Sequence, residues 1–345
     1  MMDINYELET NGDPIGTLQD FFIAVWQEAD LHTMLVPAES SSDQPGLPVL
    51  IDKPSELANV NPFKPVMSLN AAQQIPALKS TEQGSNLAAL LRPCEMRALI
   101  EMVKHDSFTM DNLLTISADC LGTYPESDFF WRADRIESAS KLSHETLKFA
   151  RQGDIMAYRY RSACQLCQQP NAASADINIG VIGLPVRKTI LVNAKNEASA
   201  EKYQLSKHTS RPASDRLMEM HSSMLVKLSE RRVRTQERVI QGLGEILPAD
   251  VDGLIQQFKS CGDCSACLDN CPICETDYPR RGDDGAYVHR DIVRWLISCA
   301  GCGMCEQACP NHQPLSAIFN HLRQQLAAEY AYQPGLSLSD PLPVH

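Results

Sequence analysis

The chain has 345 residues, of which 43% are hydrophobic, so it is long enough to bury a sizeable core in two or three domains. Its formal net charge of -12 argues against a nucleic-acid-binding protein, which would need a basic surface. No apolar run approaches the roughly 20 residues of a membrane span, and the acidic N-terminus lacks the features of a signal peptide. We therefore expect a cytoplasmic protein whose thirteen cysteines are reduced or bind metal.

The first part of the chain alternates between helix and strand patterns. Apolar residues at helical spacing predict a helix over residues 17–35, and short apolar runs predict strands at residues 49–51, 87–91 and 113–117. Pro93 fits the first turn of a helix after the 87–91 strand, because its missing N–H costs nothing there. Strand, helix and strand in this order indicate an α/β unit. Such sheets place their ligands at strand ends.

A long helix is predicted in the middle of the chain. Apolar residues recur at helical spacing through residues 217–240, among many charged ones. The methionines of this stripe are interpreted as core. The basic run formed by Arg231, Arg232 and Arg234 is interpreted as a solvated helix face. At the other end of the chain, the tail from residue 334 is expected to be disordered.

Two cysteine runs dominate the C-terminal part of the chain. Each has the spacing C-x2-C-x2-C-x3-C-P, one from Cys261 to Pro272 and one from Cys299 to Pro310. This is the bacterial ferredoxin pattern for two cubane clusters, in which the fourth cysteine of each run binds the other cluster. The predicted ligands of one [4Fe-4S] cluster are Cys261, Cys264, Cys267 and Cys309, and those of the second are Cys299, Cys302, Cys305 and Cys271.

Zinc is the main alternative to these clusters, since zinc ribbons also contain C-x2-C pairs. A zinc ion needs four ligands, whereas the two runs supply eight cysteines at the cubane spacing. The runs therefore favour iron–sulfur clusters over zinc or disulfides. A module of this kind transfers single electrons between redox partners.

Five cysteines remain outside the two runs, and four of them lie at the ends of predicted elements. Four thiolates are the complement of one more cubane cluster, which predicts a third cluster on Cys94, Cys120, Cys164 and Cys167. The alternative is that these are buried structural cysteines, since free cysteine is often buried. The fifth, Cys274, is expected to be dispensable for cluster binding.

Several motifs carry a resemblance to a known family. They are residues 65–72 (PVMSLNAA), residues 91–99 (LRPCEMRAL), residues 119–125 (DCLGTYP), the Cys164/Cys167 pair and the C-terminal dicluster run. With these, the chain resembles the coenzyme F420 hydrogenase/dehydrogenase beta-subunit family, and within it the bacterial-type formate dehydrogenase beta subunits. The resemblance covers nearly the whole chain.

The resemblance implies a flavin, FAD, beside the cluster of Cys94, Cys120, Cys164 and Cys167. Its expected contacts are Asn70, Arg92, Gly180 and Gly183, with a surface ion pair as the alternative for Arg92. No G-x-G-x-x-G follows a predicted strand, so a Rossmann-type dinucleotide site is not supported. No acid–base pair or nucleophile stands out, which fits a reaction carried by an organic cofactor.

Together these features predict an α/β (α+β) domain that binds flavin and iron–sulfur, a helical linker and a bacterial ferredoxin-like dicluster domain. The expected boundaries are residues 1–200, 201–258 and 259–330, with a tail at 331–345.

The predicted function is that of an electron-transfer (beta) subunit of an oxidoreductase complex. It would link a two-electron carrier, such as F420, NAD(P) or ferredoxin, to a catalytic partner of the formate dehydrogenase, hydrogenase or heterodisulfide-reductase type. The alternative is a flavin-free iron–sulfur adaptor between a catalytic subunit and a heterodisulfide-reductase-like flavoprotein. Residues 277–287 and the helix predicted at 288–297 are candidate docking elements because they flank the dicluster cysteines.

Overall fold

The computed structural model describes residues 4–39, 46–105, 108–135, 139–153 and 159–344. The strands are β1 (Ile4–Glu9), β2 (Thr33–Val36), β3 (Val49–Ile51), β4 (Leu87–Leu91), β5 (Leu113–Ala118), β6 (Ile177–Gly180), β7 (Thr189–Ala194) and β8 (Arg211–Pro212). The first helices are α1 (Pro14–Glu28), α2 (Ile75–Thr81), α3 (Pro93–Lys104), α4 (Glu126–Ala133), α5 (Ala139–Lys148), α6 (Ser162–Leu166), α7 (Glu197–Lys202) and α8 (Leu205–His208). The later helices are α9 (Asp215–Leu243), α10 (Val251–Lys259), α11 (Ala266–Asp269), α12 (His289–Ile297), α13 (Met304–Ala308) and α14 (Leu315–Tyr330).

The strands form one eight-stranded mixed sheet in the order β3-β2-β4-β5-β6-β7-β1-β8. Strands β2, β4, β5 and β6 are parallel neighbours, and the outer strands pair antiparallel. The predicted α/β class is therefore confirmed. Every residue of β4 is buried, as expected for a parallel strand covered on both faces.

Successive residues of β4 point into two different cores. Leu87, Ala89 and Leu91 pack with α3 and the C-terminal helices, whereas Ala88 and Leu90 pack with α1 on the opposite face. This follows from the period of two along a strand. In the first core Trp295 and Phe319 stack edge-to-face, with ring centroids 4.9 Å apart. The C-terminal helices thus share a hydrophobic core with the sheet.

Helix α1 is shorter than predicted. It ends at Glu28, and Asp30 has a φ of 47° in the turn that follows. Residues Thr33–Val36 then enter the sheet as β2, all four buried. The prediction that the helix reaches residue 35 is wrong, because the apolar run at its end pairs with β3 and β4.

Helix α9 matches the predicted stripe and ends at Leu243, where Gly244 has a φ of 48°. Its apolar side packs against the sheet core. The sequence also predicts a polar helix over residues 138–152; its first residue lies outside the described residues, and α5 begins at Ala139. None of the described helices is long and apolar enough to cross a membrane.

The C-terminal tail packs against α3, so the expectation of disorder is wrong for residues 334–344. Glu101 in α3 is fully buried, and its carboxylate accepts hydrogen bonds from the Tyr332 hydroxyl at 2.7 Å and the Gly335 N–H at 2.7 Å. Lys104 adds an ion pair at 3.1 Å. A buried carboxylate needs such partners, and the tail supplies two of them.

Candidate metal centres

The twelve cysteines predicted as ligands fall into three groups, which we name by number. Group 1 is Cys261, Cys264, Cys267 and Cys309; group 2 is Cys271, Cys299, Cys302 and Cys305; group 3 is Cys94, Cys120, Cys164 and Cys167. The thirteen cysteines of the chain are all free thiols in the structure.

The structure brings the four cysteines of group 1 together around one cavity. All four line it, together with Phe258 and Tyr287. Burial and the nearby thiols of Cys261, Cys309 and Cys264 raise the pKa of Cys267 to about 12. Cys264 is exposed, so group 1 reaches the protein surface. The fourth cysteine of the second run, Cys309, thus lies with the first three of the other run, as the ferredoxin pattern predicts.

Group 2 likewise combines the fourth cysteine of one run, Cys271, with the first three of the other run. It is more deeply buried than group 1. Burial raises the pKa of Cys302 to about 11, with Cys271 and Cys299 adding to the effect. Burial likewise raises the pKa of Cys305, and Cys299, Cys302 and Cys271 are its next contributors. These mutual effects require the four thiols to lie close to one another, because Coulomb interactions weaken with distance.

The sulfur of Cys271 also accepts hydrogen bonds from its surroundings. The buried indole of Trp295 donates from Nε1 at 3.2 Å. The hydrogen bond from Cys274 is the largest cause that lowers the pKa of Cys271 to about 7, and the hydrogen bond from Trp295 is a further cause. Cys274 is therefore a buried donor to a group 2 sulfur, and its expected dispensability as a ligand is untested.

Group 3 lies at the ends of β4 and β5, as predicted from the strand–helix–strand order, and at the short helix α6, which contains Cys164 and ends just before Cys167. Cys94 is the second residue of α3, directly after β4, and Cys120 follows β5. Burial and the Cys164 thiol are the leading causes that raise the pKa of Cys120 to about 12, and Cys167 also contributes. Burial raises the pKa of Cys94, with Cys120 among the further causes. The four thiols thus share one neighbourhood.

Local hydrogen bonds hold the segments of group 3 in place. The Cys120 N–H donates to the Pro170 carbonyl at 2.7 Å, which ties the end of β5 to the loop after Cys167. Thr123 accepts from Arg161 Nε at 2.8 Å and lies 3.3 Å from Cys164 Sγ. Between Cys120 and Thr123, Gly122 has a φ of +106°, and a Cβ at this position would lie 2.3 Å from the Tyr160 ring. Only glycine fits this turn.

Group 2 adjoins both of the other groups. Cys267 of group 1 contributes to the raised pKa of Cys305 in group 2, after burial and the nearer thiols of group 2. On its other side, group 2 adjoins group 3, because Cys94 packs against the small cluster of Met67, Cys302 and Met304, and Cys302 is among the causes that raise the pKa of Cys94. Group 2 therefore lies between the exposed group 1 and the group 3 at the sheet.

Three arginines lie between groups 2 and 3. Arg97 and Arg161 are 6% and 8% exposed, and Arg323 donates to the Cys299 carbonyl at 2.9 Å. Within the described part of the chain, no carboxylate lies within ion-pair distance of any of the three. A buried cation without an anion is costly.

The groups that can balance this positive charge are the cysteines. Burial lowers the pKa of Arg161, but the thiols of Cys164, Cys94 and Cys302 raise it by more. Arg97 Nη2 lies 3.9 Å from Cys167 Sγ. An iron–sulfur cluster held by four thiolates is anionic. The donor sets of groups 2 and 3, with their buried cations, therefore fit such clusters.

The thiols do not form a site for a single ion. Among the described residues, no three His, Cys, Asp or Glu side chains are placed so that they could hold one metal ion. Cubane ligands need not converge in this way, since each cysteine binds a different iron atom.

Two residues predicted to contact flavin make internal contacts. The alternative of an ion pair for Arg92 is present, but it is buried and not at the surface: Arg92 is 9% exposed, and its guanidinium pairs with Glu95 at 3.3 Å and donates to the Val66 carbonyl at 2.7 Å. The predicted contact of Arg92 with flavin is untested. Asn70 is fully buried; its Oδ1 accepts a hydrogen bond from the Ala72 N–H at 3.1 Å, whereas its Nδ2 has no hydrogen-bond partner among the described residues. The Asn70 side chain also lies beside Cys302, where it partly offsets the burial that raises the pKa of that thiol.

The two glycines predicted to contact flavin pack closely against α9. A Cβ on Gly183 would lie 2.6 Å from the Met220 carbonyl, and one on Gly180 would lie 3.1 Å from His221 Nε2. The side chain of His221 in turn lies 2.7 Å from Asp119 Oδ2. Helix packing thus gives a reason for both glycines, and their predicted contact with flavin is untested.

The interpretation of the arginine run as a solvated face is wrong for two of its three members. Arg232 is buried and donates to the Cys164 carbonyl. Arg231 donates to the Gly153 carbonyl at 2.8 Å, whereas Arg234 is exposed. Through Arg232, helix α9 therefore makes a polar contact with helix α6 of group 3 that the charge pattern did not reveal.

The candidate docking helix is mainly a core element. In α12 the residues Ile292, Trp295 and Leu296 are buried. The surface beside group 1 comes instead from Cys264 and the loop before α12, where Tyr278 and Asp283 are exposed.

The sequence analysis did not identify Trp295 or the three arginines beside groups 2 and 3, which are Arg97, Arg161 and Arg323. Arg97 and Arg161 each lie three residues from a group 3 cysteine, which is the one local signal of their role. Arg323 and Trp295 reach group 2 only through the packing of α12 and α14, so no spacing in the sequence reveals them.

Comparison with known proteins places this geometry in context. No protein-family model matches the chain. The F420-dependent formate dehydrogenase subunit beta of Methanocaldococcus jannaschii is 23% identical over 295 residues, which cover 74% of this chain and 75% of the relative. The F420-dependent formate dehydrogenase 1 subunit beta of Methanococcus maripaludis is 26% identical over 305 residues, covering 76% of each chain.

Among solved structures, a chain of the F420-reducing [NiFe] hydrogenase complex from Methanosarcina barkeri aligns with a TM-score of 0.46 and 11% identity. The alignment covers 69% of this chain and 91% of that one, at a similarity too low to establish a common fold.

The curated relatives confirm the predicted class, a subunit of an oxidoreductase. More particularly, they confirm the resemblance carried by the sequence motifs: the chain is similar to beta subunits of F420-dependent formate dehydrogenases.

Proposed function

We propose that this chain is an electron-transfer subunit that links a two-electron carrier to a catalytic partner through three [4Fe-4S] clusters. The observation that carries the proposal is the adjacency of the three cysteine groups, in which group 2 adjoins both group 1 and group 3. A series of adjacent redox centres from a sheet domain to the surface suits transfer between two partners.

In this proposal groups 1, 2 and 3 each hold one cluster by their four cysteines. When bound, the clusters supply one-electron transfer, and a flavin such as FAD supplies the exchange between one and two electrons. Arg97, Arg161 and Arg323 offset the negative charge of the clusters in groups 2 and 3. Trp295 and Cys274 donate hydrogen bonds to the Cys271 sulfur. These bonds orient the sulfur and lower the pKa of the Cys271 thiol, which favours the thiolate that binds iron.

The proposal assigns the two outer groups to different partners. Group 3 lies at the strand ends of the sheet, where α/β folds bind small molecules, so the carrier belongs at that end. Group 1 reaches the surface at Cys264, so the catalytic partner belongs there. The relatives suggest F420 as the carrier and a formate dehydrogenase catalytic subunit as the partner.

The proposed division into domains follows the same order. Residues 1–200 form the domain with group 3 at the carrier end, and residues 259–330 form the domain with groups 1 and 2. Residues 201–258 are the helical linker that connects these two domains. The tail at 331–345 is then a strap across α3, since its Tyr332 and Gly335 bind Glu101.

Flavin content separates this function from the flavin-free adaptor. The adaptor has one observation in its favour: Arg92, Gly180 and Gly183 are engaged in internal packing. We expect anaerobically purified protein to release about one flavin per chain on denaturation, measured by absorbance and fluorescence of the supernatant. Protein with full iron content that neither contains flavin nor retains added FAD would support the adaptor instead.

A further inference from the structure

The segment of residues 65–72 is hydrogen-bonded to helices that carry cysteines of two different groups. The Met67 carbonyl accepts from Gln307 Nε2 at 3.3 Å, in the helix α13 that contains a group 2 cysteine. The Ala71 N–H donates to Glu95 Oε1 at 3.3 Å, in the helix α3 that contains a group 3 cysteine. The segment is therefore held at the junction of groups 2 and 3.

The side chains of this segment are enclosed at that junction. Met67 is fully buried and packs in a small cluster with Cys302 and Met304, and Cys94 packs against the same cluster. Asn70 follows three residues later as the N-cap of a short 3-10 helix and is fully buried as well. A polar side chain thus lies among the sulfur atoms of the junction.

The amide of Asn70 uses only one of its two ends. Its Oδ1 accepts from the Ala72 N–H at 3.1 Å, and this bond identifies the oxygen, because an amide nitrogen cannot accept. The Nδ2 on the other side has almost no accessible surface and no hydrogen-bond partner among the described residues. A buried donor without an acceptor costs free energy, so such a group calls for an explanation.

The neighbouring group that can accept from Asn70 is the sulfur of Cys302. Burial, followed by the nearby Cys271, raises the pKa of the Cys302 thiol to about 11, and the Asn70 side chain acts in the opposite direction. A neutral thiol is a weak acceptor. A thiolate bound to iron carries negative charge and is a stronger acceptor, so cluster binding would give the Asn70 donor its partner.

We propose that Asn70 donates an N–H···S hydrogen bond to the Cys302 thiolate of the cluster in group 2, and that this bond is its role. Asn70 is then a positioning residue that acts through Cys302. Trp295 Nε1 donates to Cys271 in the same group at 3.2 Å, so two of the four group 2 sulfurs would receive side-chain N–H donors. Hydrogen bonds to the sulfurs favour the more negative, reduced form of a cluster. The inference rests on the proposed function, because it requires a cluster in group 2.

Two variants separate the donor from the cap of the 3-10 helix. Asn70→Ser keeps an oxygen that can cap the Ala72 N–H, since serine is a common N-cap residue, but it removes the amide donor. Asn70→Leu removes both the donor and the cap. Asn196→Ser is the matched control: Asn196 caps the Ser199 N–H at 2.8 Å at the start of α7, a helix without cysteines.

The test is a redox titration of the anaerobically purified full chain, monitored by electron paramagnetic resonance. Trp295→Phe removes the indole donor to Cys271, so the transition that it shifts identifies the cluster of group 2. We expect both Asn70 variants to make that cluster about tenfold harder to reduce, which is about 59 mV for one electron. The control should leave every potential unchanged. The melting temperature should fall in Asn70→Leu and not in Asn70→Ser, because only leucine removes the cap.

Iron and flavin contents of the same samples separate the possible failures. Unchanged potentials in iron-replete Asn70→Leu would overturn the role of Asn70 and leave the proposed function standing. Loss of flavin from that variant with unchanged potentials would also overturn it, and would assign Asn70 to the flavin instead. Wild-type protein that binds no iron–sulfur cluster would overturn both the inference and the proposed function.

Discussion

Anaerobically purified wild-type protein is expected to contain about twelve iron atoms per chain, at four per cluster. The variants Cys94→Ser and Cys120→Ser are each expected to retain about eight, because each removes one ligand of group 3 and leaves the two ferredoxin-type sites complete. Iron and acid-labile sulfide assays, with electron paramagnetic resonance of the reduced protein, measure both quantities.

Cys274→Ser is the matched control for this loss of iron. Cys274 is buried, like Cys271 and Cys302, but it contacts group 2 as a hydrogen-bond donor to Cys271. It is expected to keep about twelve iron atoms, since a serine hydroxyl can replace the thiol as donor. Wild-type protein with about eight iron atoms and four alkylatable group 3 thiols would show that group 3 holds no cluster.

The second large effect is expected from Arg161→Met, which removes the buried charge between groups 2 and 3. A cation favours the reduced, more negative form of a nearby cluster. At an effective dielectric of about 20 and a separation of about 8 Å, this is worth about 2 kcal/mol, or roughly 90 mV for one electron. The potentials of the clusters in groups 2 and 3 should therefore become more negative, as measured by a redox titration monitored by electron paramagnetic resonance.

A cluster-free sample of the same variant should not be destabilised. Without clusters, Arg161 is a buried cation that lacks a carboxylate in the described part of the chain, so its removal should not lower the melting temperature. Arg234→Met, at an exposed arginine of α9, is the control and should change neither quantity. Unchanged potentials in Arg161→Met would contradict the charge-balancing role.

The parts of the protein that the sequence predicts well are those with local patterns. The crossed assembly of Cys271 and Cys309 follows from spacing alone, because a short run of cysteines with a following proline constrains the local backbone. Strand β4 and helix α3 are equally local, since an apolar run precedes Pro93 and an amphipathic stretch follows it.

The parts that could not be predicted depend on contacts between distant segments. The Arg161 guanidinium meets Gln307 from α13 at 3.2 Å, and the tail is held because Glu101 is buried beneath it. Gly183 resembled a cofactor-binding glycine, but the approach of Met220 requires it equally well. None of these pairings leaves a periodic signal in the sequence.

The most direct test of the central claim is an anaerobic activity assay of the isolated chain with full iron content. A subunit that only transfers electrons should reduce a viologen dye with a reduced two-electron carrier, such as reduced F420 or NADH, and should show no oxidation of formate or hydrogen. Addition of a catalytic subunit should then couple formate or hydrogen oxidation to reduction of the carrier. Oxidation of formate or hydrogen at enzymatic rates by the chain alone would contradict the account.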